Sequence, residues 1–215
     1  MRKKLVRDEM SAPYIVGLTG GIAMGKTNLT NALKNAGAPV ADADEISRAL
    51  TAPGGRALPT IRAAFGDAVF SGPALDRKAL AALVFSDREK REALNRIVHP
   101  LVLEEIRRQI DAAADKNEPV LFIDAPLLFE AGLDKWCGEI WCAYLPQKEQ
   151  LRRLRARNPM TVKEALRRIQ SQMPARERLR RADKVIRTDG SREKSAAIVL
   201  SMYQELLKRL QGERT

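Results

Sequence analysis

The sequence predicts an α/β fold, with a parallel sheet of about five strands and helices on both faces. Short apolar runs alternate with segments of helical periodicity, as expected for parallel strands joined by helical crossovers. A Gly-rich turn joins the first apolar run to the first helix. A long helical stretch, residues 53–116, separates the second run from the third, so the sheet is predicted to carry a helical insert.

The apolar runs set the expected strands at 14–18, 38–41, 119–124, 139–145 and 182–186. Helical periodicity and capping signals predict four helices outside the insert, at 28–33, 45–50, 147–157 and 191–210. Two further helices are predicted between the last two of these. The capping box Thr161-x-x-Glu164 opens the first, and the second starts at Pro174. The strands and helices therefore alternate along most of the chain.

The turn after the first strand carries a phosphate-binding pattern. Residues 20–27 fit G-x-x-x-x-G-K-[ST], the P-loop, between a strand and a helix as that pattern requires. Glycines let backbone N–H groups approach a polyphosphate, and the helix N-terminus adds positive potential. A chance match in a chain of this length occurs roughly once in a hundred. The predicted nucleotide-binding residues are Gly20, Gly21, Ile22, Ala23, Met24, Gly25, Lys26, Thr27 and Asn28, with Lys26 on the β- and γ-phosphates and Thr27 on Mg²⁺.

Two strands end in carboxylates. Ligands of parallel α/β sheets bind at the carboxyl ends of the strands, so Asp42 is a candidate functional residue, with a helix cap or turn as the alternative. Asp44 is expected to cap the helix 45–50. Asp124 ends an apolar strand, where P-loop proteins place a metal-organising aspartate, although such residues are also common caps.

The insert, residues 53–116, has a wholly helical pattern and is a candidate substrate-binding subdomain. Pro100 is expected to kink or restart its last helix. The only histidine of the chain, His99, stands beside that proline. Taken alone, a histidine in this position is more often a capping or packing group than a catalyst.

Residues 148–181 are strongly basic, with twelve Lys and Arg against three Glu. A solvated helical face is the usual explanation of such a run. The density of arginines and the shortage of acidic partners favour instead an Arg-bearing lid, which would stabilise the charge of a transferring phosphoryl group. Arg153 and Arg157 are the residues we expect to enter the site.

Composition limits the class of protein. The net charge of +11 predicts affinity for polyanions, either nucleotides or nucleic acids. Two cysteines, Cys137 and Cys142, and one histidine exclude the usual Cys/His metal sites and favour a reducing, cytoplasmic setting. No apolar run approaches the ~20 residues of a membrane span, and residues 1–12 are expected to be a flexible extension.

Taken together, these motifs resemble the dephospho-CoA kinase family over about residues 14–210. The similar motifs are Gly17 to Ile22 with the end of the P-loop, Asp42-Ala43-Asp44, His99-Pro100, Asp124 to Glu130, Arg168-Ile169-Gln170-Ser171-Gln172 and Ala182 to Ile186. A P-loop alone is shared by many enzymes, whereas the joint occurrence of the other five motifs is far more specific.

The resemblance implies transfer of the γ-phosphoryl group of ATP to the ribose 3′-hydroxyl of dephospho-CoA, giving CoA and ADP. It implies a general base at Asp42, and Lys26, Arg153 and Arg157 at the transferring group. The acceptor would be held by the residues Asp42, His99, Asp124, Pro126, Leu127, Leu128, Arg168 and Gln172.

The resemblance also implies a division of the chain. Residues 13–52, 117–147 and 182–215 would form the nucleotide-binding core. Residues 53–116 would form the acceptor-binding insert, and residues 148–181 the lid.

The sequence departs from the family pattern at several positions. Ala23-Met24 replaces the usual Gly-Ser, and Thr27 replaces Ser. A Cβ at position 23 crowds the phosphate cradle if that residue needs positive φ. Asn158 stands where Asp is common, and Thr188 where Asn is common.

Two other functions remain as alternatives. The first is another small-molecule P-loop kinase, for instance one acting on nucleoside monophosphates. The Asp-Ala-Asp motif and the long insert argue against this alternative. The second is a basic, nucleic-acid-binding ATPase, for which an aromatic content of only 5% leaves few stacking platforms. We therefore expect small-molecule partners and neither nucleic acid nor membrane.

Overall fold

The computed structural model describes residues 12–212, so residues 1–11 of the predicted extension lie outside the described residues. The strands are β1 (Tyr14–Gly20), β2 (Val40–Asp42), β3 (Phe70–Ser71), β4 (Ala74–Leu75), β5 (Val120–Asp124), β6 (Glu139–Tyr144) and β7 (Lys184–Arg187). The helices are α1 (Lys26–Asn35), α2 (Ala43–Leu50), α3 (Leu58–Phe65), α4 (Arg77–Ser86), α5 (Arg88–Asp115), α6 (Gln147–Arg157), α7 (Val162–Gln170), α8 (Ala175–Arg181) and α9 (Arg192–Gly212). Among them, no helix is long and apolar enough to cross a membrane.

The main sheet has five strands in the order β2-β5-β1-β6-β7. β1 lies at its centre, parallel to β5 on one side and to β6 on the other, and β7 is parallel to β6. The register pairs Leu18 with both Asp124 and Trp141, so the ends of three strands lie side by side. This confirms the predicted fold class and places the turn after β1 at the carboxyl edge of the sheet, where ligands of such folds bind.

The hydrophobic core lies between one face of the sheet and helices α1 and α9. Val16 and Leu18 of β1 belong to it, together with Leu33 of α1 and Leu206 of α9. Phe122 stands at its middle, with the Trp141 and Tyr203 rings edge-on at 5.3 and 5.6 Å. Fully burying side chains of this size contributes about 1.5–3 kcal/mol each, so the core fixes α1, and with it the end of the phosphate-binding turn.

The opposite face of the sheet is covered by the segment that follows β5. Successive side chains of a strand point to opposite faces, so Gly17 faces away from Val16 and Leu18. A Cβ on Gly17 would lie 2.8 Å from Leu128 and 2.9 Å from the Cys137 Sγ. Glycine is needed at this position because the covering segment approaches the strand so closely.

The structure consists of two compact units, Asp42–Asp111 and the remainder of the chain. The first contains most of the predicted insert and begins before it. Contrary to the wholly helical prediction, it holds the antiparallel hairpin β3–β4, turned at Gly72 with φ 60°. Two-residue strands are too short to show an alternating pattern, which is why periodicity missed them.

Two further corrections concern helices of this unit. α5 continues through Pro100 as one helix of 28 residues, so the proline does not restart it. α2 begins at Ala43 and is capped by Asp42, whose Oδ1 accepts hydrogen bonds of 3.0 Å from the backbone N–H groups of Asp44 and Glu45. The prediction that Asp44 caps this helix is therefore wrong by two positions.

Candidate functional site

The turn between β1 and α1 has the shape of an anion-binding loop. Gly25 adopts φ 81° as the N-cap of α1, and Ala23 adopts φ 58° although it is not a glycine. The Met24 N–H donates to the Gly21 carbonyl at 3.1 Å and closes the turn. A non-glycine residue in the left-handed region costs roughly 1–2 kcal/mol, so contacts from other parts of the chain must hold Ala23 in place.

The lysine of the loop forms an ion pair with the end of β5. Lys26 Nζ contacts Asp124 Oδ1, and the second oxygen of that carboxylate accepts a 2.5 Å hydrogen bond from the Thr30 hydroxyl. Asp124 is 1% exposed, so its charge is compensated inside the protein and not by water. The pair places an ammonium group beside the loop, where a polyphosphate would bind.

The third residue of the loop, Ile22, is held through both of its backbone polar groups. Its N–H donates to Gln172 Oε1 at 2.8 Å, and its carbonyl accepts from Gln150 Nε2 at 2.9 Å. Gln150 is buried in α6, and Gln172 lies in the turn between α7 and α8. The two glutamines therefore connect two separate parts of the predicted lid to the loop.

A buried arginine covers the start of the loop. Arg178 of α8 is 3% exposed, and a Cβ on Gly21 would lie 3.0 Å from its Nη1. Its Nη2 donates to the Met173 carbonyl at 2.9 Å, next to Gln172. A side chain at position 21 would therefore be in tight contact with this guanidinium.

Thr188, which follows β7, supports the other side of the loop. Its hydroxyl donates to the Met24 carbonyl at 2.6 Å, and a Cβ on Gly25 would lie 3.3 Å from its side chain. Both Thr188 and Met24 are buried. The two departures from the family pattern at positions 24 and 188 are thus in direct contact with each other.

The catalytic candidate Arg153 reaches the same region. Its Nη2 donates to the Thr188 carbonyl at 2.8 Å, and its Nε donates to Glu149 at 3.1 Å. Arg152, together with Arg153, lowers the pKa of the Glu149 carboxyl to about 2. Glu149 therefore remains ionised near neutral pH and holds Arg153 close to the segment that supports the loop.

The expected shortage of acidic partners in the lid is wrong for part of it. Arg152 and Arg153 both pair with Glu149, and Arg181 pairs with Asp134 at 2.9 Å. The Arg181 guanidinium also stacks over the Phe129 ring at 4.2 Å, which fixes α8 to the segment after β5.

Arg157 and Arg168 differ from the buried Arg178 and the half-buried Arg153 and Arg181. Both side chains are exposed, Arg157 on the C-terminal half of α6 and Arg168 on α7. α7 opens with the predicted capping box of Thr161 and Glu164, which is confirmed.

The two neighbouring leucines in the segment after β5 differ in exposure. Leu127 is exposed, whereas Leu128 is fully buried against Gly17. The carbonyl of Pro126 accepts a hydrogen bond from the Thr19 hydroxyl at 3.4 Å. The burial of Leu128 gives it a packing role, and its predicted contact with a substrate stays a prediction.

Two predicted residues belong to the unit 42–111. Asp42 is half-buried at the end of β2, and capping α2 fixes the direction of its carboxylate. His99 is exposed on α5, which continues past it as one helix.

Comparison with known proteins places the chain among small-molecule kinases. The sequence model for dephospho-CoA kinase matches residues 14–194. A dephospho-CoA kinase from Carboxydothermus hydrogenoformans is 41% identical over 89% of this chain and 93% of its own length. The chain belongs to the dephospho-CoA kinase family.

Solved structures agree with the fold of this family. The crystal structure of TT1252 from Thermus thermophilus has 34% identity and a TM-score of 0.76, covering 91% of this chain and 98% of its own. Shikimate kinase from Acinetobacter baumannii, at 14% identity, has a TM-score of 0.51 over 93% of this chain and 96% of its own. The second likeness concerns the fold alone, which is that of P-loop kinases.

Sequence reasoning missed two residues of this dephospho-CoA kinase family member, Gln150 and Arg178. The signal for Gln150 was its spacing of four from Leu154, which puts a polar residue on the buried face of α6. Arg178 had no such signal, since its helix carries five charged residues in seven. Its burial depends on tertiary packing that a charge count does not reveal.

Proposed function

We propose that this chain transfers the γ-phosphoryl group of ATP to the ribose 3′-hydroxyl of dephospho-CoA and releases CoA and ADP. The observation that carries the proposal is the loop 20–28, which is held by hydrogen bonds from other parts of the chain and has its Lys26 paired to the buried Asp124. The family model matches this chain over residues 14–194. The loop has N–H donors and a helix N-terminus that can bind the phosphates. Membership of the family indicates which acceptor is used.

At the nucleotide end, backbone N–H groups of the loop would bind the β- and γ-phosphates, with Lys26 as the mobile charge. The ammonium would exchange part of its contact with Asp124 for phosphate oxygens. Because Asp124 also accepts from Thr30, its carboxylate keeps one partner during that exchange.

The oxygen donors near the loop fit Mg²⁺. Thr27 is exposed at the first turn of α1, and hydroxyl and carboxylate oxygens are ligands that Mg²⁺ prefers when it also binds substrate phosphates. Thr27 would hold the ion directly, and Asp124 would organise its surroundings. When bound, Mg²⁺ supplies charge neutralisation to the phosphates.

At the acceptor end, Asp42 would remove the proton from the 3′-hydroxyl, an effect worth about 10²- to 10⁴-fold in rate. The hydroxyl oxygen forms a bond to the γ-phosphorus as the bond from that phosphorus to the bridging oxygen breaks. The proton passes to the carboxylate, and the electron pair of the broken bond leaves with ADP. The family motif and the position of Asp42 at the end of β2 support this role.

The exposed Arg157 and the tethered Arg153 would neutralise charge on the transferring group. The other proposed acceptor contacts are Pro126, Leu127, His99 and Arg168. Leu128 is also a proposed acceptor residue, and because it is buried, its contribution would be to pack the turn beside Leu127. Gln172 accepts a hydrogen bond from the Ile22 N–H, so its contribution would pass through the loop.

The experiment is a phosphotransfer assay with ATP and Mg²⁺ against dephospho-CoA, AMP, CMP and dTMP. We expect turnover with dephospho-CoA only. Turnover of a mononucleotide and not of dephospho-CoA would reject the proposal in favour of a nucleoside monophosphate kinase. Tight DNA binding that persists at physiological salt would favour the nucleic-acid-binding ATPase.

Asp42→Asn tests the base. It removes the proton acceptor and is expected to lower kcat by about 10²-fold or more, with little change in ATP affinity. Since an asparagine also caps helices well, α2 should remain intact. A kcat within a few-fold of the wild type would show that Asp42 is not the base.

We also propose a cytoplasmic location. It is supported by two buried, reduced thiols, Cys137 and Cys142.

A further inference from the structure

The left-handed residue of the loop, Ala23, lies between two peptide groups that are both held by hydrogen bonds. The peptide before it contains the Ile22 carbonyl, which accepts from Gln150 at 2.9 Å. The peptide after it contains the Met24 N–H, which donates to Gly21 at 3.1 Å. The orientations of these two peptide groups set φ and ψ of Ala23.

The Ile22 backbone is held a second time by the chain beyond α7. Gln172 accepts from the Ile22 N–H at 2.8 Å. The turn that carries Gln172 is itself fixed by Arg178, which donates to the Met173 carbonyl. Gln150 and Arg178 are each 3% exposed, so water does not compete effectively for these bonds.

We infer that Gln150 and Gln172 are positioning residues that hold Ile22 from both sides and so keep the loop in its phosphate-binding shape. Neither side chain needs to touch the nucleotide. Their effect passes through Ile22 to the φ of Ala23, a position where glycine would adopt the same conformation without strain. The inference rests on the proposed function only in that the loop binds ATP.

The hydrogen bonds from the two glutamines explain why this chain tolerates alanine at position 23. A strained backbone conformation persists when the surrounding structure over-determines it. Here two amide side chains, one from α6 and one from the α7–α8 turn, act on the residue next to the strained one. Removing either is predicted to release the loop toward conformations that do not bind phosphate.

The test uses Gln150→Met and Gln172→Met, which keep approximate shape and remove the amide. Matched controls come from exposed glutamines of the neighbouring helices, Gln147→Met on α6 and Gln170→Met on α7. ATP affinity is measured by titration calorimetry on the full chain, with circular dichroism and thermal unfolding to confirm that each variant is folded. Steady-state kinetics then separate kcat from KM for ATP.

We expect each test variant to weaken ATP binding by about 5- to 100-fold, as for a buried hydrogen bond lost from one side. The effect should appear in KM for ATP, and kcat of Gln150→Met at saturating ATP should stay within about threefold of the wild type, because the loop still closes around bound nucleotide. Both controls should bind ATP like the wild type.

The double variant separates positioning from general destabilisation. Ala23→Gly is combined with Gln150→Met, because glycine adopts the left-handed conformation without help. We expect this protein to recover at least half of the lost ATP affinity on a logarithmic scale. A loss of stability without a specific effect on the loop would not be corrected by this glycine.

Three outcomes overturn the inference. The first is an equal ATP affinity in the test and control variants. The second is a double variant that recovers none of the lost ATP affinity. The third is a lower kcat in place of a raised KM for ATP. If the wild type itself fails to bind ATP, the proposed function fails instead, so the two failures are distinguishable. If Gln150→Met does not fold, Gln172→Met alone and combined with Ala23→Gly gives the same comparison.

Discussion

Two parts of the Arg-rich segment 148–181 are both rich in arginine but have different surroundings. In α8, Arg178 is buried over the start of the loop and Arg181 is paired with Asp134. In the C-terminal half of α6 and in α7, Arg157 and Arg168 are exposed. The first pair belongs to the folded scaffold, while the second pair is available to a ligand. Charge density therefore identifies a basic segment, and burial decides which of its charges serve structure.

Arg157→Met gives the largest expected effect in this comparison. Loss of one charge-stabilising group typically lowers kcat by about 10²- to 10³-fold. Because Arg157 is exposed, the thermal unfolding midpoint should not change. Steady-state kinetics and thermal unfolding of the same preparation measure both quantities. The control is Arg155→Met on the same helix, and equal kcat values for the two variants would remove Arg157 from the site.

Arg178→Met should show the reverse pattern, with its main effect on stability. A hydrogen bond from a charged donor contributes about 1.5–3 kcal/mol, and the Met173 carbonyl would lose that donor. Denaturant unfolding measures the change. The matched control, Arg180→Met, removes an exposed arginine of α8 and should change stability by less than about 0.5 kcal/mol. If both variants lose the same stability, burial does not distinguish the two arginines.

Thr188→Val is expected to have a smaller effect. It removes the hydroxyl that donates to the buried Met24 carbonyl and should lower the free energy of unfolding by about 1 kcal/mol. Thr188→Ser keeps the hydroxyl and is the control. Chemical denaturation of both variants tests this, and a serine variant as unstable as the valine variant would assign the effect to the methyl group.

The prediction with the smallest expected effect at neutral pH concerns the buried carboxylate of Glu139, which lies outside the lid. Burial alone would raise the pKa of Glu139, but hydrogen bonds from Arg209, Trp141 and Lys184 outweigh it, and the net pKa is lowered. The folded state therefore binds fewer protons than the unfolded state, whose carboxyl titrates near the ordinary value of 4.5. The stabilisation is complete above that pH and is lost as the pH falls through the lower folded value.

Glu139→Gln is the variant that isolates this effect. Unfolding measured from about pH 6 to about pH 3 should depend less on pH in the variant than in the wild type. Parallel curves for the two proteins would show that other carboxyl groups account for the acid sensitivity.

Much of the sheet was predictable, because buried strands are recognisable as apolar runs with polar ends. The run 119–124 became β5 with one residue fewer, and helix α6 has the predicted bounds 147–157. The conformation of Gly25 was also implied by its place in the motif. What these features share is that their causes are local in sequence.

The contacts that shape the site were not predictable, because they join residues far apart in the chain. Nothing near Gln172 in sequence indicates that it meets Ile22, 150 residues away. The cap of α2 was misplaced for a different reason. Asp42 and Asp44 both suit a cap, and what decides between them is the extended backbone of Asp42, with ψ 108°, and the hydrogen bonds that its carboxylate accepts. Local propensity thus determined the elements, and tertiary contacts determined the site.

The two thiols of the sheet region have a practical consequence. Burial raises the pKa of Cys142 to about 11, against a smaller opposing effect of Arg178, and Cys137 is buried with its Sγ donating to the Leu133 carbonyl. The thiolate is the reactive form of cysteine, so burial and the raised pKa both make Cys142 less reactive. Peroxide and alkylating agents should therefore act slowly on these two buried cysteines while the chain is folded.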